Sequence, residues 1–418
     1  MSPSFLRLRV SILSLLFALA PSLISVPVFA GPPKSGKTPT SCAALLSGKG
    51  GELRLSKIPG AKNWGENVRV PANPKTRELG SITDLVIGQY NVENLLEEQG
   101  KYVRSADGKF VFDPAIGDYQ RETPRIEKPF AKLRGVAETL MRANPDIAVI
   151  EEVENLAALE FLNEKLLGGK YIAILIPGND ERGINVAFLV KADLPFDLEI
   201  QSFKNVARGS GSRSPLFSRD LPGLFLRTKG AKEDSKPLLG IFGTHFKSQR
   251  DTPGDPLSVR YRSEQVQGAA EILSFFQRSW GDGVPLFLAG DFNRDVRTGP
   301  EFKPLWQNGL MKDAFDLAPA DHSVPAKDRV TQTFHPREGG TVYSQLDSVS
   351  GSPAVQKDQL IKDAQIMPYL DENGQPRPLP RSFNQRKKNP SDHFMVRVVL
   401  DFAKLLKLFQ ERAEKVPN

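Results

Sequence analysis

Val284-Pro285-Leu286-Phe287-Leu288-Ala289-Gly290-Asp291-Phe292-Asn293 is an apolar run of strand length that breaks, at a glycine, into an acid and an amide. A run this short and this uniformly apolar fits a strand buried on both faces. The stretch before it, Val259 to Trp280, predicts a helix. Working outward, the same texture recurs. Leu85 to Val92 reads as a strand that passes into Asn91 and Glu93, and Ile147 to Ile150 as a buried strand ending in Glu151-Glu152. Leu238 to Thr244 reads as a strand ending at His245, and Phe394 to Leu400 as a late strand that follows Asp392-His393. Tyr171 to Ile176 and Ile184 to Val190 predict two strands joined by the polar turn 178–183.

Helical spacing fills the intervals. Leu133, Val136, Ala137, Leu140 and Met141 share one face, and Asn144-Pro145-Asp146 stops that helix. Leu156, Leu159, Leu162 and Leu166 form another face, and Ala403 to Lys415 an amphipathic C-terminal helix. Strands and helices therefore alternate in one domain over residues 81–418, with no linker and no internal repeat. Three long irregular segments interrupt it, 207–221, 249–258 and 366–389. Such loops in a compact domain are where binding is expected.

Residues 1–30 carry Arg7 and Arg9, an apolar run from Val10 to Val28, and a small-residue exit at Ala30. That is the pattern of a secretory signal peptide, and it predicts a secreted or periplasmic protein with no membrane segment after cleavage. Residues 31–80, rich in Gly, Pro, Lys and Asn, predict an N-terminal extension that is only partly ordered. Loss of Arg7 and Arg9 lowers the formal charge from +7 to +5, which still suits a polyanionic partner. Cys42 is the sole cysteine, so no intrachain disulfide can form, and it lies too far past the apolar run to be a lipid anchor.

The chemistry gathers at strand ends. Asn91 with Glu93, Glu152, His245, and Asp291 with Asn293 each close an apolar strand, and Asp392-His393 immediately precedes one. Strand ends hold side chains rigidly. Carboxylates and amides without thiolates are hard oxygen donors suited to Mg²⁺, Mn²⁺ or Ca²⁺. Glu151 beside Glu152 is expected to be a solvated charge. His322 and His335, in polar segments, are expected to be ordinary surface histidines.

Six short motifs in this order, 91–94, 150–153, 244–248, 290–293, 345–348 and 391–393, resemble those of the endonuclease/exonuclease/phosphatase superfamily. The resemblance covers about residues 81–402. It implies a deoxyribonuclease I-like α/β fold, a four-layer sandwich of two packed mixed sheets with helices outside. It also implies a divalent-metal-dependent phosphoric ester hydrolase with Mg²⁺, or Mn²⁺ or Ca²⁺, as cofactor. Glu152 resembles the principal metal-binding glutamate, with Asn91, Glu93 and Asp392 beside it. Asp291 and Asn293 resemble the pair that orients the attacking water. His393 resembles the active-site histidine, Asp347 its carboxylate partner and His245 a second histidine. Asn185 departs from the resembled segment, which ends in Asp. Arg182 and Lys247 are candidates for phosphate contact, as are Arg208, Arg213 and Arg219 in the 207–221 loop.

The first functional reading is a nuclease acting on DNA or RNA, a monomer with no protein partner. The second is a phospholipid or inositol-phosphate hydrolase, which predicts an exposed aromatic hairpin, with Phe217, Leu221, Leu224 and Phe225 as its only candidate. The third is a non-catalytic binding protein, which predicts losses among Glu152, Asp291, Asn293 and His393, and none is lost.

Overall fold

Two mixed β-sheets pack face to face, and the groups named above lie along one edge of their interface. The structure is a computed structural model that describes residues 64–95, 101–104, 110–113 and 130–414, apart from 181, 209–213, 233–234, 282 and 337–338. The signal peptide pattern, Cys42, most of the N-terminal extension and Arg213 lie outside the described residues.

In spatial order the larger sheet runs β1 (Asn67–Val70), β8 (Phe196–Gln201), β9 (Gly223–Thr228), β10 (Leu239–His245), β11 (Leu286–Asp291), β15 (Asp347–Gly351) and β12 (Lys312–Asp313). The smaller runs β16 (Ile361–Ile366), β17 (Val396–Asp401), β2 (Asp84–Leu95), β5 (Ile147–Val153), β7 (Asn185–Lys191) and β6 (Tyr171–Leu175). Each sheet has one parallel pair at its centre, β10 with β11 and β2 with β5. Two small ribbons complete the strands, β3 (Lys101–Arg104) with β4 (Phe110–Asp113), and β13 (Gln332–Phe334) with β14 (Val342–Ser344).

Three hydrophobic clusters separate four layers. Ile87, Val149 and Phe188 of the smaller sheet meet Ile241, Phe287 and Val349 of the larger between the sheets. Helix Val259–Trp280 covers the outer face of the larger sheet through Phe225, Phe242, Phe276 and Leu288. Helix Phe130–Ala143 covers the smaller through Val136, Leu140, Ala148 and Ile150. The fold is thus the expected α/β two-sheet sandwich.

The sheet begins before residue 81. β1 pairs antiparallel with β8, and Trp64 is buried against Phe203 and Phe275. The low periodicity of the preceding residues had hidden a short edge strand. Phe217, Leu221, Leu224 and Phe225 are all buried, so they form no exposed aromatic hairpin. No helix among the described residues is long and apolar enough to cross a membrane.

Candidate active site

Side chains alternate along a strand, so one face of β2 carries Leu85, Ile87, Gln89 and Asn91, and one face of β5 carries Ile147, Val149 and Glu151. These faces are apolar for most of their length and polar at one end. The larger sheet repeats the pattern: Ile241 and Gly243 precede His245, and Phe287 and Ala289 precede Asp291. The inter-sheet core therefore grades into a polar pocket where β2, β5, β10, β11 and β15 terminate or begin.

Register places three functional groups abreast. His245 pairs with Asp291 across the parallel ladder, and Asp291 with Asp347 across the antiparallel one. Gly290 permits this close approach, because a Cβ there would sit 1.8 Å from the Thr244 carbonyl oxygen. In the smaller sheet, irregular registers between Asn91 and Leu95 and between Glu151 and Val153 break the alternation. Glu93 (φ 49), Glu152 (φ 64) and Asn293 (φ 57) take the left-handed backbone region there and just past β11. Such conformations are costly for side chains with a Cβ and concentrate at functional sites. The bulge turns Glu152 out of the sheet toward the pocket.

Asp291 Oδ2 is the centre of the site. Asn91 Nδ2 donates to it at 3.0 Å and Asn293 Nδ2 at 3.2 Å, while His245 Nε2 stands at 3.5 Å and His393 Nε2 at 3.8 Å. The other oxygen accepts from the Asn293 backbone N–H at 2.7 Å. His393 Nδ1 lies 2.8 Å from Asp347 Oδ2, and Gln89 Nε2 donates to Asp347 Oδ1 at 2.8 Å. Asp347 accepts Nδ1–H and so leaves His393 Nε2 facing Asp291.

Burial and neighbouring charge drive these groups apart in protonation. Burial pushes the Asp291 carboxyl up to about 7, against the pull of the His393 cation and with the help of the Asp347 carboxylate. Burial alone would keep His393 neutral, but Asp347 and Asp291 outweigh it and raise its pKa well above the ordinary 6.5. His245 goes the opposite way: burial, and then the positive charges of Arg219 and Arg182, hold it well below 6.5. The pocket thus carries one imidazolium and one neutral imidazole on either side of one carboxyl, a separation typical of acid–base sites.

The expected metal ligands divide. Glu152 accepts the Asn94 backbone N–H through Oε2 at 2.9 Å and keeps Oε1 4.0 Å from His245 Nε2. Burial, and after it the Asp392 charge, raise its pKa, against the pull of His393, Arg182 and Arg219. Glu93 and Asp392 are held by protein cations instead. Arg386 bridges Glu93 and, at 2.9 Å, Asp392, and Lys132 reaches Glu93 at 3.2 Å. Asn91 is better placed as a positioning amide than as a ligand, since its Oδ1 accepts the Glu93 N–H at 3.0 Å and its Nδ2 holds Asp291. Asp291, Asp347 and His393 each bring one ligand atom within 4.8 Å of the others and could hold an ion. Both Asp347 oxygens are already engaged, which favours a hydrogen-bonded relay in that trio. Glu152 brings to the pocket an oxygen donor of the kind that hard divalent cations prefer.

The remaining expectations sort as follows. Arg182 is half-exposed and shares Asp180 with buried Arg219, at 3.2 and 2.9 Å. Lys247 lies past the end of β10, half-buried, with its pKa lowered by burial and by Arg219 and Arg182. Arg208 is tied to Glu264 and lies 4.1 Å from the Tyr261 ring centroid, so neither Arg208 nor Arg219 projects as a loop cation. Glu151 is not a solvated charge: it is fully buried, receives Gln89 Nε2 at 3.0 Å, and its pKa is raised well above 4.5 by burial and by Asp347. Its alternation with Ile147 and Val149 was the signal that could have found it. Asn185 Oδ1 accepts the Gly178 N–H and its Nδ2 donates to the Val153 and Glu154 carbonyls, a donation that a carboxylate could not make. His322 is exposed, whereas His335 is half-buried with both ring nitrogens shielded from water. Arg386 and Gln89 are site residues that sequence reasoning missed, and no motif marked them.

Fold and site together define a two-sheet α/β sandwich that gathers carboxylates, amides and imidazoles at its strand ends. No family model matches the chain, and no curated protein matches it. Solved structures similar to it include an endonuclease/exonuclease/phosphatase family protein from Bacteroides thetaiotaomicron, with TM-score 0.49 and 20% identity over 76% of this chain and 95% of that one. A mannosyl-6-phosphatase from the same organism aligns with TM-score 0.47 and 19% identity over 76% and 99%. Truncated TDP2 from Caenorhabditis elegans aligns with TM-score 0.46 and 16% identity over 76% and 98%.

Proposed function

We propose that this protein is an exported, divalent-metal-dependent phosphodiesterase of the endonuclease/exonuclease/phosphatase superfamily, and that its substrate is nucleic acid. The observation that carries this reading is the convergence of Asn91, Asn293, His245 and His393 on Asp291 Oδ2, at 3.0–3.8 Å, from elements of both sheets. A cation held by Glu152, with Asp392 nearby, would neutralise phosphate charge and stabilise the leaving oxygen. Asp291 is placed to take a proton from an attacking water while Asn91 and Asn293 fix its orientation. His393, kept charged by Asp347, can donate to a phosphoryl oxygen as charge builds there. Basic residues beside the pocket and a mature charge of +5 favour a polyanion over a small ester.

The test is a substrate panel with purified residues 31–418. Plasmid DNA and structured RNA should be degraded only with added Mg²⁺ or Mn²⁺, and EDTA should stop the reaction. Turnover of phospholipids or inositol phosphates, with nucleic acid untouched, would contradict the proposal. Mass spectrometry of the exported protein should find an N-terminus at or close to Gly31.

A further inference from the structure

Ribbon β13–β14 and the irregular segment 375–390 flank the pocket, and the function proposed above gives neither a task. They are joined to each other and to the site. Gln332 bridges to His393, the Thr333 N–H donates to the Asp392 carbonyl at 3.1 Å, and Tyr343 Oη donates to the Pro380 carbonyl at 2.9 Å. Arg386, from the same segment, reaches Glu93 and Asp392.

This surface concentrates exposed apolar side chains. Phe334 is 53% exposed, Phe383 48% and Tyr343 38%, with Val342 and Leu379 also exposed. Residues 375–390 contain five basic residues and no acidic one. Arg381, Lys387 and Lys388 are exposed and form no ion pair among the described residues. Lys387 Nζ lies 4.8 Å from the Phe383 ring centroid and Arg386 Cζ 5.8 Å.

We infer that this surface docks an unpaired nucleic-acid strand, with bases stacked on Phe383, Phe334 and Tyr343 and phosphates on Arg381, Lys387 and Lys388. Exposed rings interleaved with cations are what single-strand binding requires, because each nucleotide brings a π-face and a charge together. A duplex hides its base faces and cannot use the rings. An anionic membrane is the rival partner, but the rings are spread over two segments, with Tyr343 Oη tied to the Pro380 carbonyl, and they line the approach to the buried pocket, where a strand must pass and a bilayer surface need not. The inference rests on the nuclease reading and narrows its substrate to polynucleotides with unpaired segments.

The experiment measures anisotropy of a labelled single strand and a labelled duplex on the full chain, with EDTA present to prevent cleavage. Vesicles of phosphatidylglycerol and phosphatidylcholine are run alongside. Phe383→Ala should weaken single-strand binding about tenfold, the loss of one stacked base, and leave duplex binding nearly unchanged. The triple variant Arg381→Gln, Lys387→Gln, Lys388→Gln should flatten the single-strand salt slope by about two. Both variants should hydrolyse bis(p-nitrophenyl) phosphate at the wild-type rate with Mg²⁺ added. Unchanged single-strand affinity in Phe383→Ala and in Phe334→Ala would overturn the inference. So would vesicle binding that is lost in these variants while strand binding is not. Failure of the wild type to hydrolyse the small diester would count against the catalytic reading alone, and the anisotropy would still decide this one.

Discussion

The inner and outer carboxylates of the pocket are held in contrasting ways. Asp291 and Asp347 are buried and surrounded by amides and imidazoles, and the cation beside them is the His393 imidazolium. Glu93 and Asp392, at the rim, are about one-fifth exposed and clamp Arg386 between them. Glu152 sits between the two groups. The same residue type therefore serves two ends. Inside, low dielectric and the His393 charge shift protonation, which is what proton transfer needs. Outside, fixed protein cations neutralise the carboxylates.

The largest effect that can break this contrast lies on the inner side. Asp291→Ala and His393→Ala should each lower kcat by roughly 10²–10⁴-fold, the usual worth of a positioned acid or base, with the circular dichroism spectrum unchanged. Rates near wild type in both would dissolve the inner group as catalytic machinery.

On the outer side, Arg386→Ala removes a positive charge that both Glu93 and Asp392 contact. The half-saturating Mn²⁺ concentration should fall about tenfold, since even at the effective dielectric of a protein surface a neighbouring unit charge repels a divalent ion appreciably. An unchanged metal dependence would show that the rim carboxylates do not bear on the ion.

The smallest effect is on stability, in EDTA. Asp291 titrates near 7 when folded and near 3.9 when unfolded. Below about pH 4 both states hold the proton; between about pH 4 and pH 7 only the folded state does. Stability should therefore fall as pH rises across that window, and Asp291→Asn should flatten the decline by a few degrees in Tm. A wild-type and a variant curve that run parallel would contradict the shift.

Much of this was legible in the residues. Short apolar runs ending in polar groups located β5, β10 and β11, because strands buried on both faces leave only their ends free for chemistry. The helix predicted over Val259 to Trp280 is the helix observed. What escaped has identifiable causes. Glu151 and Glu152 are adjacent: alternation turns Glu151 inward, but only the bulge, which no sequence pattern marks, brings Glu152 to the pocket as well. Arg386 lies 293 residues from Glu93 in the chain, and no spacing connects them. Edge strand β1 has too few residues to show a period. The cations of the 207–221 loop looked free in sequence, but Arg219 and Arg208 are taken by Asp180 and Glu264.

The central claim is that Glu152 delivers a divalent cation to the phosphate beside Asp291. The most direct test titrates Mn²⁺ into wild-type protein and Glu152→Gln, following binding calorimetrically and plasmid hydrolysis in parallel. Binding and hydrolysis should saturate together in the wild type. In Glu152→Gln both should weaken by more than the roughly 10–100-fold that loss of an outer-shell partner costs. Equal Mn²⁺ affinity in the two proteins, or hydrolysis that persists in EDTA, would contradict it.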